Sequence, residues 1–464
     1  MTYSIKKYII LLYIKLWGEA MQTVEIATKC GKIKGIDEGK FVLFKGIKYA
    51  NAKRWEYPTA VTSWDEVYDA TEWGDCSYQR RSFEPDEQCN AFYHREFRRG
   101  LTFTYSEDCQ YLNIYAPKNA EKLPVAIYIH GGTFTGGSGN EAHIDGTKFA
   151  ENGIVYITFN YRLGPWGFCS HPDLTDENGL CGNYGLYDQY TALKWIKDNI
   201  EDFGGDPDNI TVMGQSAGSM SVDIHLSSEQ CRGFFKGAFM MSATALMRLF
   251  SRPYTPEQTR KFWDKVVKNA GVNSIEDLRT ADPKTLFYAW WPIFDGTRGA
   301  MRYAFPVFDG KYLKKENFGL KNIPDIPYLL GMTSCDMIPL VLRIADTLWA
   351  KSVKKRNKNK CFIYMFDRDL PGDSNRNWHC SDMLYVFGTL RTSWRPFVER
   401  DFEIEKEMFS SACAFIKNHD PNCDSVPKWE SGSRKIMEFG ENETKFKRWK
   451  TAKLIRYLFR EGPM

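Results

Sequence analysis

The segment Gly214-Gln215-Ser216-Ala217-Gly218 sets one hydroxyl between two flanking glycines. Before it, Ile210-Thr-Val-Met213 is a β-branched run; after it, Ser219-Met-Ser-Val-Asp-Ile-His-Leu226 is apolar at helical spacing. A serine on so tight a strand-to-helix turn holds strained backbone angles, and side chains at the flanking positions would collide there. The turn pushes Oγ out to where a base can reach it, and the helix that begins there aims free N–H groups at a developing oxyanion. The five-residue pattern alone arises by chance in roughly one chain in seven of this length. The strand and the helix around it are therefore what carry it. A second element, His130-Gly131-Gly132-Thr133-Phe134, directly follows the strand-like run Val125-Ala-Ile-Tyr-Ile129. A glycine pair in that place lets backbone N–H groups face a substrate oxygen. Together the two elements describe a serine nucleophile beside an oxyanion hole, the apparatus of acyl transfer.

Such groups need a rigid frame, and the periodicities predict one. Leu112–Tyr115, Val125–Ile129, Ile154–Phe159 and Ile210–Met213 are runs typical of buried strands. Tyr187, Tyr190, Leu193 and Ile196 mark an amphipathic helix from Tyr187 to Ile200 between two of them. Strand and helix in alternation predict an α/β fold, a sheet covered by helices on both faces. Ahead of it, Thr23–Ala27, Gly31–Gly35 and Phe41–Phe44 alternate with period two and predict an opening antiparallel ribbon. Residues 75–105 show no periodicity. Helices are expected over 255–300, 400–418 and 445–460, with a strand at Phe362–Phe366. No repeat or linker divides the chain, so residues 21–464 are expected to form one domain.

Composition bounds the rest. A chain of 464 residues, 43% hydrophobic, has ample material for a core. A net charge of +4 spread over this length, with no basic stripe beyond Lys351–Lys360, excludes a nucleic-acid role. The 12 cysteines show no zinc spacing and no dense disulfide pattern, which points to free thiols in a reducing compartment. Residues 1–20 resemble a weak signal, with Lys6 and Lys7 before Tyr8–Ile14, but Lys15 ends the apolar run early and it is too short to span a bilayer. Trp17-Gly18-Glu19-Ala20 back-translates to a purine-rich stretch just before Met21, so translation is expected to start at Met21. The expected location is cytoplasmic, or secreted if the segment is a true signal. No membrane span is expected, and oligomeric state is open.

The chain resembles the type-B carboxylesterase and cholinesterase family of α/β-hydrolases, and in length its short bacterial members. Phe203-Gly-Gly-Asp-Pro-Asp-Asn-Ile-Thr-Val-Met-Gly-Gln-Ser-Ala-Gly218 matches that family's serine signature nearly throughout, and Glu107-Asp-Cys-Gln-Tyr-Leu-Asn-Ile-Tyr115 resembles its second signature. Asn160–Phe168, Gly182–Gln189, Gly46–Ala50 and Pro306–Gly310 are also family-like, and the likeness runs from about 24 to 440. It implies a carboxylic-ester hydrolase acting on a small-molecule ester without metal or cofactor. By resemblance, Ser216 is the nucleophile and His379, in His379-Cys-Ser-Asp-Met-Leu-Tyr-Val-Phe-Gly388, is the base. The oxyanion loop is Gly131, Gly132 and Thr133, with N–H donors from Gly132, Thr133 and Ala217. The family places a glutamate five residues after a glycine; here Asp336 follows Gly331, with Asp346, Asp369 and Asp373 as rivals. Arg54 with Glu107 and Arg162 with Asp188 resemble its structural ion pairs. Cys76 and Cys109 match a disulfide of secreted relatives, and without a convincing export signal they are expected as free thiols.

Two departures bear on specificity. The interval from Asp336 to His379 is short, which implies a more open site. Thr133 stands where the family usually has glycine or alanine, so its branched side chain is expected to narrow the approach. Trp166, Trp290, Trp291 and Phe294 are candidates for the pocket wall, or equally for core packing. Two alternatives share the sequence: an amidase or sugar-ester deacetylase with the same triad, and a non-catalytic binding protein on the same fold. Adhesion relatives of the latter kind lose the serine that is kept here.

Overall fold

The computed structural model describes residues 22–356 and 360–448; the signal-like segment and Met21 lie outside them. Twelve strands follow one another across a single sheet: β1 (Thr23–Thr28), β2 (Gly31–Asp37), β3 (Phe41–Lys48), β4 (Tyr111–Pro117), β5 (Leu123–Ile129), β6 (Val155–Phe159), β7 (Gly205–Gln215), β8 (Gly237–Met241), β9 (Tyr328–Thr333), β10 (Cys361–Asp367), β11 (Lys435–Gly440) and β12 (Thr444–Arg448). Their spatial order is β1-β2-β3-β4-β6-β5-β7-β8-β9-β10-β11-β12, with Tyr68–Asp69 added beside β2. From β6 through β5 and on to β11 every neighbour is parallel. The strands β1 to β3 form the expected antiparallel ribbon, and β4 joins it to the parallel part, antiparallel to both β3 and β6.

Alternation along the central strands sorts their side chains into two cores. Val125, Ile127 and Ile129 of β5 join Leu193 and Ile196 of α1 (Tyr184–Asn199) on one face. Ala126 and Tyr128 turn to the other face, against Ile404, Met408 and Phe415 of a long helix, Glu399–Asn418. Strands buried on both faces read as unbroken apolar runs, which is why β5 and β6 are legible without alternating polarity. A third cluster joins helices α2 (Pro256–Ala270) and α3 (Pro283–Asp295) to Trp55 and Trp166.

One expectation fails. The 445–460 segment does not begin as a helix: Thr444–Arg448 is a strand that pairs antiparallel with β11, Lys435 facing Arg448. Its Thr-Lys-Phe-Lys-Arg sequence alternates, and Phe446 packs on the core while the lysines flank it. Period two suits a strand and outweighs helix propensity over so few residues. Residues 449–460 lie outside the described part.

Ion pairs brace the frame as the resemblance implied. Arg162 grips Asp188 in a two-bonded fork, Nε to Oδ2 and Nη2 to Oδ1 both at 2.8 Å, with both side chains fully buried. Arg54 bonds Glu107 at 3.0 Å and the carbonyls of Leu278 and Ala281, tying the ribbon end to the segment before α3.

Candidate active site

Ser216 sits where β7 turns into the helix Ala217–Ser227, at φ 55° and ψ −123°. That region is nearly closed to residues with a side chain. It is held by Ser216 N–H donating to Met241 O at 2.9 Å, a bond to the next strand. The flanking glycines are steric requirements. A Cβ on Gly214 would lie 2.4 Å from the backbone of Gly218, and one on Gly218 would lie 1.9 Å from Ile129 O. Gly218→Ala is thus expected to cost about 3 kcal/mol, because the obstacle is backbone that cannot swing aside. Equilibrium urea unfolding measures it, and an unshifted midpoint would contradict the steric reading.

The other groups arrive at the same edge, the carboxyl ends of the parallel strands, where α/β sheets hold ligands. His130 to Phe134 follow β5, Asp336 stands three residues past β9, and His379 lies in the loop after β10. His379 Nδ1 is 2.6 Å from Asp336 Oδ1. Asp336 is buried, and its carboxylate also accepts from Met337 N–H at 2.8 Å and from Thr333. Burial pushes its pKa up, but the imidazole outweighs this and the carboxyl stays below its ordinary range. Burial likewise opposes charge on His379, yet Cys380 and the Asp336 carboxylate overcome it and hold the imidazole well above its usual value. The rival acids are engaged elsewhere: Asp369 with Asn377, Asp373 with Arg95 and Arg395, and Asp346 beside Arg343 and Thr244.

With Nδ1–H given to Asp336, Nε2 presents a lone pair. The side-chain amide nitrogen of Gln215 lies 3.2 Å from it. The residue before Ser216 therefore occupies the atom that a nucleophile's proton would need.

The glycine loop curls tightly. Gly132, Thr133 and Phe134 take φ of 108°, 54° and 59°, three consecutive left-handed residues. Thr135 and Gly136 N–H both donate to Gly132 O at 2.9 Å, and Tyr161 OH donates to His130 O. The Thr133 hydroxyl turns back onto Gly132 O at 2.7 Å and meets the Thr135 hydroxyl. Ala217 is the first residue of its helix, where an N–H has no intrahelical acceptor. With its hydroxyl tethered, the Thr133 side chain is fixed beside the loop. Tert-butyl acetate is accordingly expected to turn over roughly tenfold or more slower than n-butyl acetate, and Thr133→Gly to narrow the gap. Rapid hydrolysis of the tert-butyl ester by the wild type would count against this.

Gly131, Gly132, Thr133, Gln215, Ser216 and His379 line one cavity of about 370 Å³. Of the four aromatic candidates, Trp291 is on its wall, with the Arg80 guanidinium 4.6 Å above the ring. Trp166 and Trp290 are instead buried in the third core cluster, and Phe294 stacks on Trp290 at 4.5 Å. Trp290 and Trp291 point about 100° apart on one helix, so only one can face the cavity. The wall also holds residues that no motif announces: Arg81, Glu141 and His143. His143 stacks on Phe97 at 3.8 Å and, chiefly through burial, has its pKa lowered to about 4. Cys76 and Cys109 are buried free thiols.

The parallel sheet, the strand–serine–helix turn and the ordered Ser, Asp, His positions define an α/β-hydrolase. A model of the carboxylesterase family matches residues 22–352 and 341–456. The para-nitrobenzyl esterase of Bacillus subtilis (strain 168) is 37% identical over 481 residues, covering 89% of this chain and 94% of that one. A solved PNB esterase superposes with a TM-score of 0.79 at 26% identity, covering 94% of this chain and 99% of that one. The bile salt-activated lipase of Rattus norvegicus is 33% identical over 67% of this chain, which spans 52% of that protein's length. The chain belongs to the carboxylesterase family and is a carboxylic-ester hydrolase. Among the described residues no helix is long and apolar enough to cross a membrane.

Proposed function

We propose that the chain hydrolyses small-molecule carboxylic esters through a covalent acyl-enzyme, with Ser216 as nucleophile, His379 as base and Asp336 as its orienting acid. The observation that carries this reading is the 2.6 Å contact between His379 Nδ1 and Asp336 Oδ1, made in the wall of the cavity that also exposes Ser216. A carboxylate on Nδ1–H fixes the tautomer and leaves Nε2 free to take a proton. The Gln215 amide yields Nε2, which then accepts the Ser216 proton as Oγ attacks the ester carbonyl. The carbonyl oxygen becomes an oxyanion, stabilised by the N–H groups of Gly132, Thr133 and Ala217. His379 returns the proton to the leaving alcohol. Water then repeats the sequence on the acyl-serine and releases the acid. The Asp336 charge stabilises the imidazolium in both halves.

The test pairs turnover with trapping. Purified protein is assayed on p-nitrophenyl esters of rising acyl length, then treated with a fluorophosphonate and digested. Hydrolysis, and a phosphonyl adduct on the peptide containing Ser216, are expected. An adduct on another residue, or no hydrolysis of any ester, would overturn the assignment.

A further inference from the structure

Arg81 forms part of the cavity wall although its side chain is only 5% exposed. Its Nη1 pairs with Glu141 Oε1 at 2.9 Å, and its guanidinium lies over the Phe103 ring at 4.7 Å. Its other edge is different: Nε and Nη2 are both buried and neither has a hydrogen-bond partner. That edge presents two parallel N–H donors spaced for a carboxylate. At three other buried arginines the same edge is filled. Arg98 holds Asp86 through Nε and Nη2 at 2.7 and 3.0 Å, Arg162 holds Asp188, and Arg395 holds Glu96.

The local charges balance without it. Arg81 and Arg98 face Glu141 and Asp86, and Glu141 lies 3.9 Å from Arg98 Nη1 and 3.5 Å from His143 Nδ1. His130 and His143 are both pushed down to about 4, chiefly by burial, so they stand neutral near pH 7. Two buried donors on one cationic edge are costly to leave unmet.

We propose that the Nε–Nη2 edge of Arg81 is a carboxylate-binding fork of the catalytic cavity, and that the preferred substrates are esters carrying a free carboxylate, such as half-esters of dicarboxylic acids. The proposal rests on the ester-hydrolase reading. The carboxylate enters on either the acyl or the alcohol part, and two pairs of substrates tell these apart. In the acyl pair, mono-p-nitrophenyl glutarate is compared with its methyl-capped ester. In the alcohol pair, 4-acetoxybenzoate is compared with methyl 4-acetoxybenzoate.

The full-length wild type is expected to favour the charged member of one pair by roughly tenfold to a hundredfold in kcat/KM. In Arg81→Lys, which keeps the charge facing Glu141 but loses the fork, that ratio is expected to fall toward one. The ratio cancels any general loss of active enzyme. Should Arg81→Lys not fold, inhibition of wild-type p-nitrophenyl acetate hydrolysis decides: valerate is expected to inhibit at least roughly tenfold better than the uncharged valeramide. Ratios near one in both pairs, an unchanged ratio in Arg81→Lys, or equal inhibition by the two would overturn the fork. Failure of p-nitrophenyl acetate itself to turn over would instead overturn the ester-hydrolase reading.

Discussion

Ser216→Ala is expected to lower kcat on p-nitrophenyl esters by about a millionfold while leaving stability within about 1 kcal/mol of the wild type. The first part follows from chemistry: without Oγ there is no acyl-enzyme, and only the oxyanion donors and binding remain to speed attack by water. The second follows from the fold. Ser216 stands at the N-terminus of its helix without capping it through the side chain, so the hydroxyl contributes no bond that the helix needs. The strained φ of 55° is borne equally by alanine. Measuring kcat and the urea midpoint on the same preparation checks both halves. Activity within tenfold of wild type would remove Ser216 from the mechanism, and a large fall in the midpoint would mean the hydroxyl is structural.

Asp336→Asn is expected to cost about ten-thousandfold in kcat and to move the acid limb of the pH–rate profile to lower pH. The sign follows from the two opposing influences on His379. Burial disfavours the imidazolium, while Cys380 and the Asp336 carboxylate favour it and prevail, so the folded enzyme holds the proton to a pH well above the ordinary histidine value. Catalysis needs Nε2 bare, so activity rises as pH climbs through the pKa of His379. Asparagine carries no charge, burial acts with less opposition, the proton is lost at lower pH and the limb shifts acidward. The plateau falls as well, because the asparagine amide can donate to Nδ1 and select the wrong tautomer. Asp336→Glu, which restores the charge on a longer arm, is expected to bring the limb back toward its wild-type position. An asparagine variant with full turnover, or with the limb displaced to higher pH, would refute the assignment.

How far the sequence reveals the site depends on the reach of the forces at each residue. Ser216 is legible because its constraint is local: a turn that admits no Cβ at 214 or 218 must be written as glycine at both. The central strands are legible because burial on both faces leaves mostly apolar, β-branched and aromatic residues, with few polar ones such as Thr158 and Thr211. Asp336 was open to rivals since a carboxylate two strands away has no local signature; only the fold sets its Oδ1 beside Nδ1 of His379. The aromatic run Phe287–Phe294 names no wall by itself. Which tryptophan meets the cavity depends on the rotation of one helix against its neighbours, and that is fixed by tertiary packing. Arg81 was illegible altogether. It lies in the aperiodic 75–105 stretch, and its burial comes from Phe103, Tyr105 and Glu141, partners brought together by the loop's path rather than by spacing.

The order of the strands also sets a schedule for biosynthesis. The glycine loop and Ser216 emerge early, and β8 closes on β7 soon after, but the partner of β8 on its other side, β9, begins 87 positions beyond the end of β8. At about 5–20 residues per second, the Gly-Ala-Phe-Met-Met edge of β8 waits roughly five to twenty seconds for a strand to cover it. An uncovered apolar edge is a template for pairing with other chains. The half-made protein on the ribosome is thus both inert, lacking His379, and adhesive.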